Sequence, residues 1–337
     1  MLKRFVTLRE DQPGAAWLAR FAAGREEAGR WYRGHGRTEP PTAAACRTAL
    51  TDHMPELVPL YDRACELVGD DDLGHRILSH YRPPPVMAGC SQAVWLGDGG
   101  PALVRNYDFP LEIVSDHFES TAWLGREVIA KGQRPWGGCI DGMNAEGLVA
   151  SLTFGGGRAE GLGFSVILML RYVLETCRRV DEAVAALSRI PIAQSQNVIL
   201  LDRTGAYATL FLGPDRAPAV SQARACTNHQ ETAGAATDSA LRLETVLAAL
   251  DEPALSLADL ARRFLAPPLY SRRARSPTVY TAVYRPAEGR VDYLWPGKTW
   301  TQRMGRFETG AYTHDYGELT HQHDDVLEHR GEVGASA

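Results

Sequence analysis

The sequence predicts an α+β chain in which two antiparallel sheets lie between layers of helices. Three observations predict it. Short apolar runs flank turn signals at four places, the mark of antiparallel hairpins. The helical periodicities come in blocks and do not alternate one for one with strands, as βαβ units require. Nucleotide-binding α/β signatures are also missing: there is no Walker A or dinucleotide fingerprint, and the run Gly155 to Gly157 lacks their spacing.

Each element can be justified in order. Residues 12–32 carry Ala16, Trp17, Ala19, Phe21 and Ala22 at helical spacing. After the break Gly34 to Pro41, Thr42 is an expected N-cap for a helix through about Val68. A short helix follows Asp70 to Asp72 and reaches His80. Pro83, Pro84 and Pro85 then forbid helix and mark the clearest boundary. The hairpins are expected at 91–106 around Gly97 to Gly100, at 138–154 around Asn144 to Gly147, at 197–212 around Asp202 to Gly205, and at 279–295 around Pro286 to Gly289. Helices are expected at 164–177, at 181–190, from a cap at Asp238 to about Leu250, and from Ser256 to about Leu265.

Composition excludes several function classes. At 337 residues and 45% hydrophobic, the chain can bury a large core and is not disordered overall. The net charge of -5 argues against a nucleic-acid footprint. That charge has an address: residues 310–337 hold six acidic residues and one arginine, while 1–89 and 90–309 are each balanced. Of the 36 basic residues only Lys3, Lys131 and Lys298 are lysine, a composition bias of the coding genome. No apolar stretch approaches the ~20 residues of a membrane span, and the charged N-terminus has no signal-peptide core, so a cytoplasmic location is expected. Cysteines 46, 65, 90, 139, 177 and 226 show no CxxC spacing, so neither zinc nor a redox pair is expected. His314, His321, His323 and His329 are irregularly spaced in the acidic 310–337 stretch, which reads as a solvated tail without a metal site.

The chemistry concentrates after the proline boundary. In Gly89-Cys90-Ser91-Gln92-Ala93-Val94-Trp95 a cysteine opens a strand. Alone it would read as a small buried hydrophobe. Four further features change that reading. Arg105-Asn106-Tyr107-Asp108-Phe109 closes the first hairpin; Gly142-Met143-Asn144-Ala145-Glu146-Gly147-Leu148 is followed by Ser151-Leu152-Thr153-Phe154; Asn197 to Gly205 forms a strand-turn-strand unit; and Thr227-Asn228-His229 follows the next strand.

In this order and spacing the motifs resemble the family of acyl-CoA:6-aminopenicillanic acid acyltransferases and, more distantly, the choloylglycine (bile-salt) hydrolases. Both are cysteine N-terminal nucleophile hydrolases. The resemblance runs from about Gly89 to Trp295 and implies a four-layer αββα sandwich at 90–309. It also implies self-cleavage between Gly89 and Cys90, which would make 1–89 a helical pro-segment of a zymogen, retained as a subunit. The chemistry is reasonable: Gly89 leaves its carbonyl open to the thiol. A freed α-amine, pKa roughly 7.7–8.0, can serve as base for its own sulfur.

The resemblance assigns roles to further residues. Asp108 lies near the nucleophile's amine and thiol, and Arg105 supports the thiolate as in bile-salt hydrolases. On a flat strand these two face opposite sides, so both reach Cys90 only if the strand bends near Tyr107. Asn228 is the expected oxyanion donor. Thr153 stands where both families place an asparagine, and Arg242 where they have a helix arginine; both are expected at the oxyanion or substrate. His229 is read as structural or substrate-facing. The implied enzyme is an amidase or acyltransferase, without cofactor, acting through a Cys90 acyl-enzyme on a small N-acyl amide or acyl thioester. Trp95, Phe109, Phe118, Trp123, Trp136 and Phe154 are candidates for the acyl pocket. Alternatives left open are a bile-salt-like or acyl-lactone amidohydrolase without transferase activity, and an inert homologue used for binding. A homo-oligomer also stays open.

Overall fold

The computed structural model describes residues 1–33, 40–84, 89–133, 137–230 and 237–320. The chain begins with strand β1 (Leu2–Arg9) and continues through helices α1 (Ala15–Arg33), α2 (Ala43–His53), α3 (Val58–Val68) and α4 (Asp72–Leu78). The first hairpin is β2 (Gly89–Trp95) and β3 (Ala102–Asp108), followed by β4 (His117–Thr121), β5 (Val128–Gln133), β6 (Gly138–Asn144) and β7 (Val149–Phe154). Helices α5 (Val166–Thr176) and α6 (Val180–Arg189) precede β8 (Gln196–Leu201), β9 (Tyr207–Leu212), β10 (Ala219–Ser221) and β11 (Ala225–Cys226). The rest is α7 (Asp238–Leu250), α8 (Leu257–Phe264), β12 (Thr278–Arg285), β13 (Arg290–Trp295), β14 (Lys298–Arg303) and β15 (Gly310–Asp315).

The strands form two sheets, in the orders β10-β9-β8-β7-β6-β5-β4-β1-β15 and β11-β2-β3-β12-β13-β14. All neighbours run antiparallel except β1 and β4, which are parallel. The sheets face each other. Helices α5 and α6 cover the larger one and α7 and α8 the smaller, giving the expected αββα layering. Helix α5 is apolar nearly all round and almost wholly buried, which suits a helix enclosed by a sheet and by other helices. Beneath α7 and α8, Trp95 and Val104 pack with Val246, Leu260 and Phe264. Trp17, Leu50 and Leu57 of the N-terminal helical segment join Leu168 and the inter-sheet residues in the main core.

Local chemistry accounts for the element ends. Thr42 caps α2 by accepting from the Ala45 N–H, as expected. The single helix expected over 42–68 is broken, because Pro55 and Pro59 restrict the chain and a 3₁₀ turn at Pro55–Leu57 separates α2 from α3. Ser256 caps α8 in a capping box with Asp259. Thr237, not Asp238, caps α7, which frees the Asp238 carboxylate for Arg242 and Arg273.

Two terminal segments differ from their expected character. The stretch before residue 89 is not only helical: β1 lies inside the larger sheet, between β4 and β15. The C-terminal segment is not wholly solvated, since β15 pairs with β1 and His314 is buried against Tyr316 and Trp295. His321, His323 and His329 lie outside the described residues. Among the described residues no helix is long and apolar enough to cross a membrane.

Candidate active site

The site is built on the β2–β3 hairpin. Cys90 pairs with Tyr107 and Gln92 with Arg105, so these four side chains share one face of the sheet. That register brings the Arg105 guanidinium onto the thiol, where Nη2 donates to Cys90 Sγ at 3.0 Å. Both side chains are fully buried. Burial pushes the Cys90 thiol up to about 11, and the nearby Arg105 charge pulls against it.

Arg105 is itself anchored from the opposite sheet. Its Nη1 donates to Asp141 Oδ2 at 2.6 Å, a fully buried ion pair linking β3 to β6. Asp141 also accepts from Tyr280 Oη at 2.6 Å and from Tyr284 Oη, both on β12. These three residues were not anticipated from the sequence. Asp141 nevertheless interrupts an apolar strand, and a carboxylate so placed requires a buried cationic partner.

Asp108 approaches from the other side. It is the cross-strand partner of Gly89, and a Cβ on Gly89 would come within 3.0 Å of Asp108 Cβ. Thr278 Oγ1 donates to Asp108 Oδ1 at 2.7 Å. Burial raises the Asp108 carboxyl above its ordinary range, against the pull of Arg242 and Thr278. The expected bend of β3 near Tyr107 is not seen: β3 pairs with β2 in unbroken register, which leaves Asp108 on the face opposite Arg105, and the irregularity nearby is on β12, whose register on β3 shifts between Thr278 and Tyr280.

Asn228 and Arg242 close the site above the Cys90 backbone. Asn228 Oδ1 accepts from the Cys90 N–H at 2.9 Å and from Arg242 Nη2 at 2.9 Å. Asn228 Nδ2 makes a long 3.4 Å contact with the Phe154 carbonyl. Arg242 Nη1 donates to the Cys90 carbonyl at 2.5 Å and to Ser91 Oγ at 2.8 Å. One turn earlier on α7, Asp238 accepts from Arg242 Nε at 2.8 Å and fixes its orientation.

Thr153 faces a different partner from the expected one. Its hydroxyl donates to the Thr227 carbonyl at 2.8 Å and accepts from Asn197 Nδ2 at 3.1 Å. Asn197 also donates to the Thr227 and His229 carbonyls, so the pair fixes the backbone on both sides of Asn228. Ser239 accepts from the Asn228 N–H at 2.8 Å and lies 2.7 Å from His229 Nδ1. Burial lowers the pKa of His229, with Arg242 acting in the same direction. Among the described residues no group of three or more His, Cys, Asp or Glu is arranged to hold a metal.

Beside β3 lies a cleft lined mainly by apolar groups, Tyr107, Phe109, Ile140, Leu152, Phe154, Val166 and Ile167 among them, together with the polar Gln133, Ser165, Gln194 and Gln196. Of the six aromatic candidates, Phe109 and Phe154 line it. Phe118 packs on Tyr293 with ring centroids 4.1 Å apart, Trp95 lies beneath α7 and α8, and the Arg171 guanidinium sits 4.5 Å from the Trp123 ring. Each of these three is committed to the core elsewhere, and Trp136 lies outside the described residues.

A model of the family described as acyl-coenzyme A:6-aminopenicillanic acid acyl-transferase matches residues 95–300, more than half of the chain, beginning just after Cys90. Among solved structures, a variant of conjugated bile acid hydrolase from Clostridium perfringens is similar at 14% identity with a TM-score of 0.51, covering 70% of this chain and 100% of that one. Penicillin V acylase from Agrobacterium tumefaciens is similar at 16% identity with a TM-score of 0.47, covering 64% and 86%. An N-acylethanolamine-hydrolyzing acid amidase ortholog from Caenorhabditis elegans is similar at 16% identity and a TM-score of 0.45, covering 59% and 93%. Among curated protein sequences the chain matches none significantly. The bile acid hydrolase likeness is one of fold, and it agrees with the two facing sheets described above. The chain belongs to the acyl-coenzyme A:6-aminopenicillanic acid acyl-transferase family.

Proposed function

We propose that the protein is a cysteine amidohydrolase or acyltransferase that activates itself by cutting between Gly89 and Cys90. One observation carries the reading: a single residue, Cys90, has its sulfur held by Arg105 at 3.0 Å and its backbone N–H held by Asn228 at 2.9 Å. Those are the two atoms an N-terminal nucleophile uses, one to attack and one to accept the proton.

In the first reaction the Cys90 sulfur attacks the Gly89 carbonyl and the peptide nitrogen leaves as an amine. Water then hydrolyses the thioester, giving a Gly89 carboxylate and a free Cys90 amine. In turnover that amine, near neutrality in pKa, takes the thiol proton. The sulfur attacks the substrate carbonyl, the Asn228 amide stabilises the oxyanion, and the leaving group departs with the proton. Water or an amine acceptor then releases the acyl group. Arg242 supports this geometry by holding Asn228 Oδ1 and the Cys90 carbonyl together. The apolar cleft along Phe109, Leu152 and Phe154 suits an apolar acyl chain of an N-acyl amide or acyl thioester.

After such a cut the N-terminal fragment would stay as a subunit. Its strand β1 has a neighbour on each side, so release would break hydrogen bonds to both β4 and β15. N-terminal sequencing and intact mass of the purified protein test the processing. The expected products are residues 1–89 and 90–337, co-purifying, while Cys90→Ala remains one chain. Full-length wild-type chain that nevertheless turns over N-acyl anilides would overturn the self-cleavage step. Processed wild type and Cys90→Ala with equal activity on anilides and acyl thioesters would overturn the nucleophile. Adding an amine acceptor and assaying for the acyl-amine product separates transfer from hydrolysis.

A further inference from the structure

Arg105 serves two partners, a thiol and a carboxylate. Its Nη2 faces the Cys90 sulfur and its Nη1 faces Asp141 at 2.6 Å. In a site with both side chains fully buried, a bare carboxylate at that distance would absorb much of the guanidinium's field. The Asp141 carboxylate is not bare. Tyr280 donates to Oδ2, the same oxygen that meets Arg105, and Tyr284 donates to Oδ1. The two tyrosines are four positions apart on β12 and therefore on one face. Both are fully buried, so these hydroxyls have no access to water as a substitute partner. Hydrogen bonds from O–H groups delocalise the carboxylate charge and weaken its hold on the cation.

We propose that Tyr280 and Tyr284 are positioning residues for the nucleophile: by hydrogen bonding to Asp141 they leave more of the Arg105 charge to stabilise the Cys90 thiolate. The inference rests on the reading of Cys90 as the nucleophile. Other titratable or charged groups face the two ends of the relay. Around Cys90 they are Tyr107 and Asp108 on β3, Arg242 on α7 and Cys226 on β11; around Asp141 they are Lys131 on β5 and Tyr293 on β13. Tyr293 also interacts with the Tyr284 hydroxyl, so Tyr284→Phe perturbs that residue as well, and Tyr280→Phe is the cleaner probe of the relay.

The experiment is the pH dependence of Cys90 alkylation by iodoacetamide, with the labelled residue identified by peptide mass. It is run on wild type, Tyr280→Phe, Tyr284→Phe, the double variant and Asp141→Asn. Each Phe variant should move the inflection upward by about half a pH unit, a roughly threefold loss of thiolate at neutral pH. Asp141→Asn should move it downward, because the competing negative charge is gone. General loosening of the packing would shift every variant in one direction, so opposite signs distinguish the relay from a structural defect. Should Asp141→Asn fail to fold, Asp141→Ser takes its place as the variant that removes the competing charge. Labelled Cys90 with unmoved Phe inflections, or shifts of one sign throughout, overturns the relay while leaving the nucleophile standing. Wild-type protein in which Cys90 takes no label at any pH overturns both.

Discussion

Asn228 Oδ1 receives two donors at the same 2.9 Å, the Cys90 N–H and Arg242 Nη2. Because the carbonyl end of the amide is occupied twice, the Nδ2 end is fixed in direction, and its contact with the Phe154 carbonyl is a long one. An amide held in place beside the nucleophile can donate to a developing oxyanion, the role proposed for it above. Asn228→Ala is expected to lower kcat on an acyl anilide by about 10²–10³-fold, with a smaller change in KM. Steady-state kinetics checks this, and an unchanged kcat would remove the amide from the chemistry.

Gly89 is required by space and not by backbone conformation. A Cβ there meets Asp108 Cβ at 3.0 Å and Oδ2 at 3.4 Å, so Gly89→Ala must displace either the carboxylate or the start of β2. Overpacking of this kind typically costs about 1–3 kcal/mol. Self-cleavage of Gly89→Ala is expected to slow by about tenfold or more, followed as the appearance of the Cys90 N-terminus over time after synthesis. Gly89→Val should be slower again, and equal rates in all three proteins would argue against any role for this contact.

Thr153 tests whether the departure from the family's asparagine matters for chemistry or for structure. Its hydroxyl bridges Asn197 Nδ2 and the Thr227 carbonyl and is fully buried. Thr153→Val keeps the shape and removes the bridge, at a cost of about 1–3 kcal/mol for the unpaired groups. The melting temperature should fall while kcat per folded molecule stays within a few-fold of wild type. A large loss of kcat at unchanged stability would instead favour direct contact with substrate.

What was legible in the sequence divides along a physical line. The four hairpins and the helices announce themselves through local period and turn residues, and all appear near the expected positions except the helix expected over 42–68, which divides at Pro55. Strands β4 and β5 do not, because His117, Glu119 and Lys131 interrupt their apolar pattern. Glu119 is compensated from α5, where Arg171 Nη2 donates to its carboxylate, and Lys131 donates to the Ser115 and Gly132 carbonyls at 2.8 Å. Local sequence cannot announce a partner fifty positions away. Strands β1 and β15 are hidden for the same reason: β15 pairs with β1 across the length of the chain, and β1 also with β4 more than a hundred positions on. In the site, Cys90, Arg105, Asp108, Asn228 and Arg242 were accessible through the order of the motifs. The Asp141–Tyr280–Tyr284 cluster was not, since it forms only when the two sheets meet.

Acid should weaken the fold through the same buried charges that obscure β4. Glu119 is buried, which alone would raise its carboxyl, yet the charge of Arg171 and the bond with His117 hold it down at about 2, below its ordinary 4.5. His117, whose Nδ1 lies 3.7 Å from the Asp116 carboxylate, likewise lowers Asp116 to about 2, against a smaller effect of burial. Both folded-state values lie below the unfolded ones, so the unfolded chain binds more protons as pH falls. The stability these groups contribute is fully present above about pH 4.5 and is lost progressively as pH falls through about 2. Urea unfolding at pH 7, 5, 4 and 3 should therefore show a midpoint that holds between neutrality and pH 5 and then declines. Glu119→Gln should be less stable than wild type at pH 7, because Arg171 loses its buried partner, and should show a shallower decline in acid. Parallel acid slopes for the two proteins would show that Glu119 does not carry this dependence.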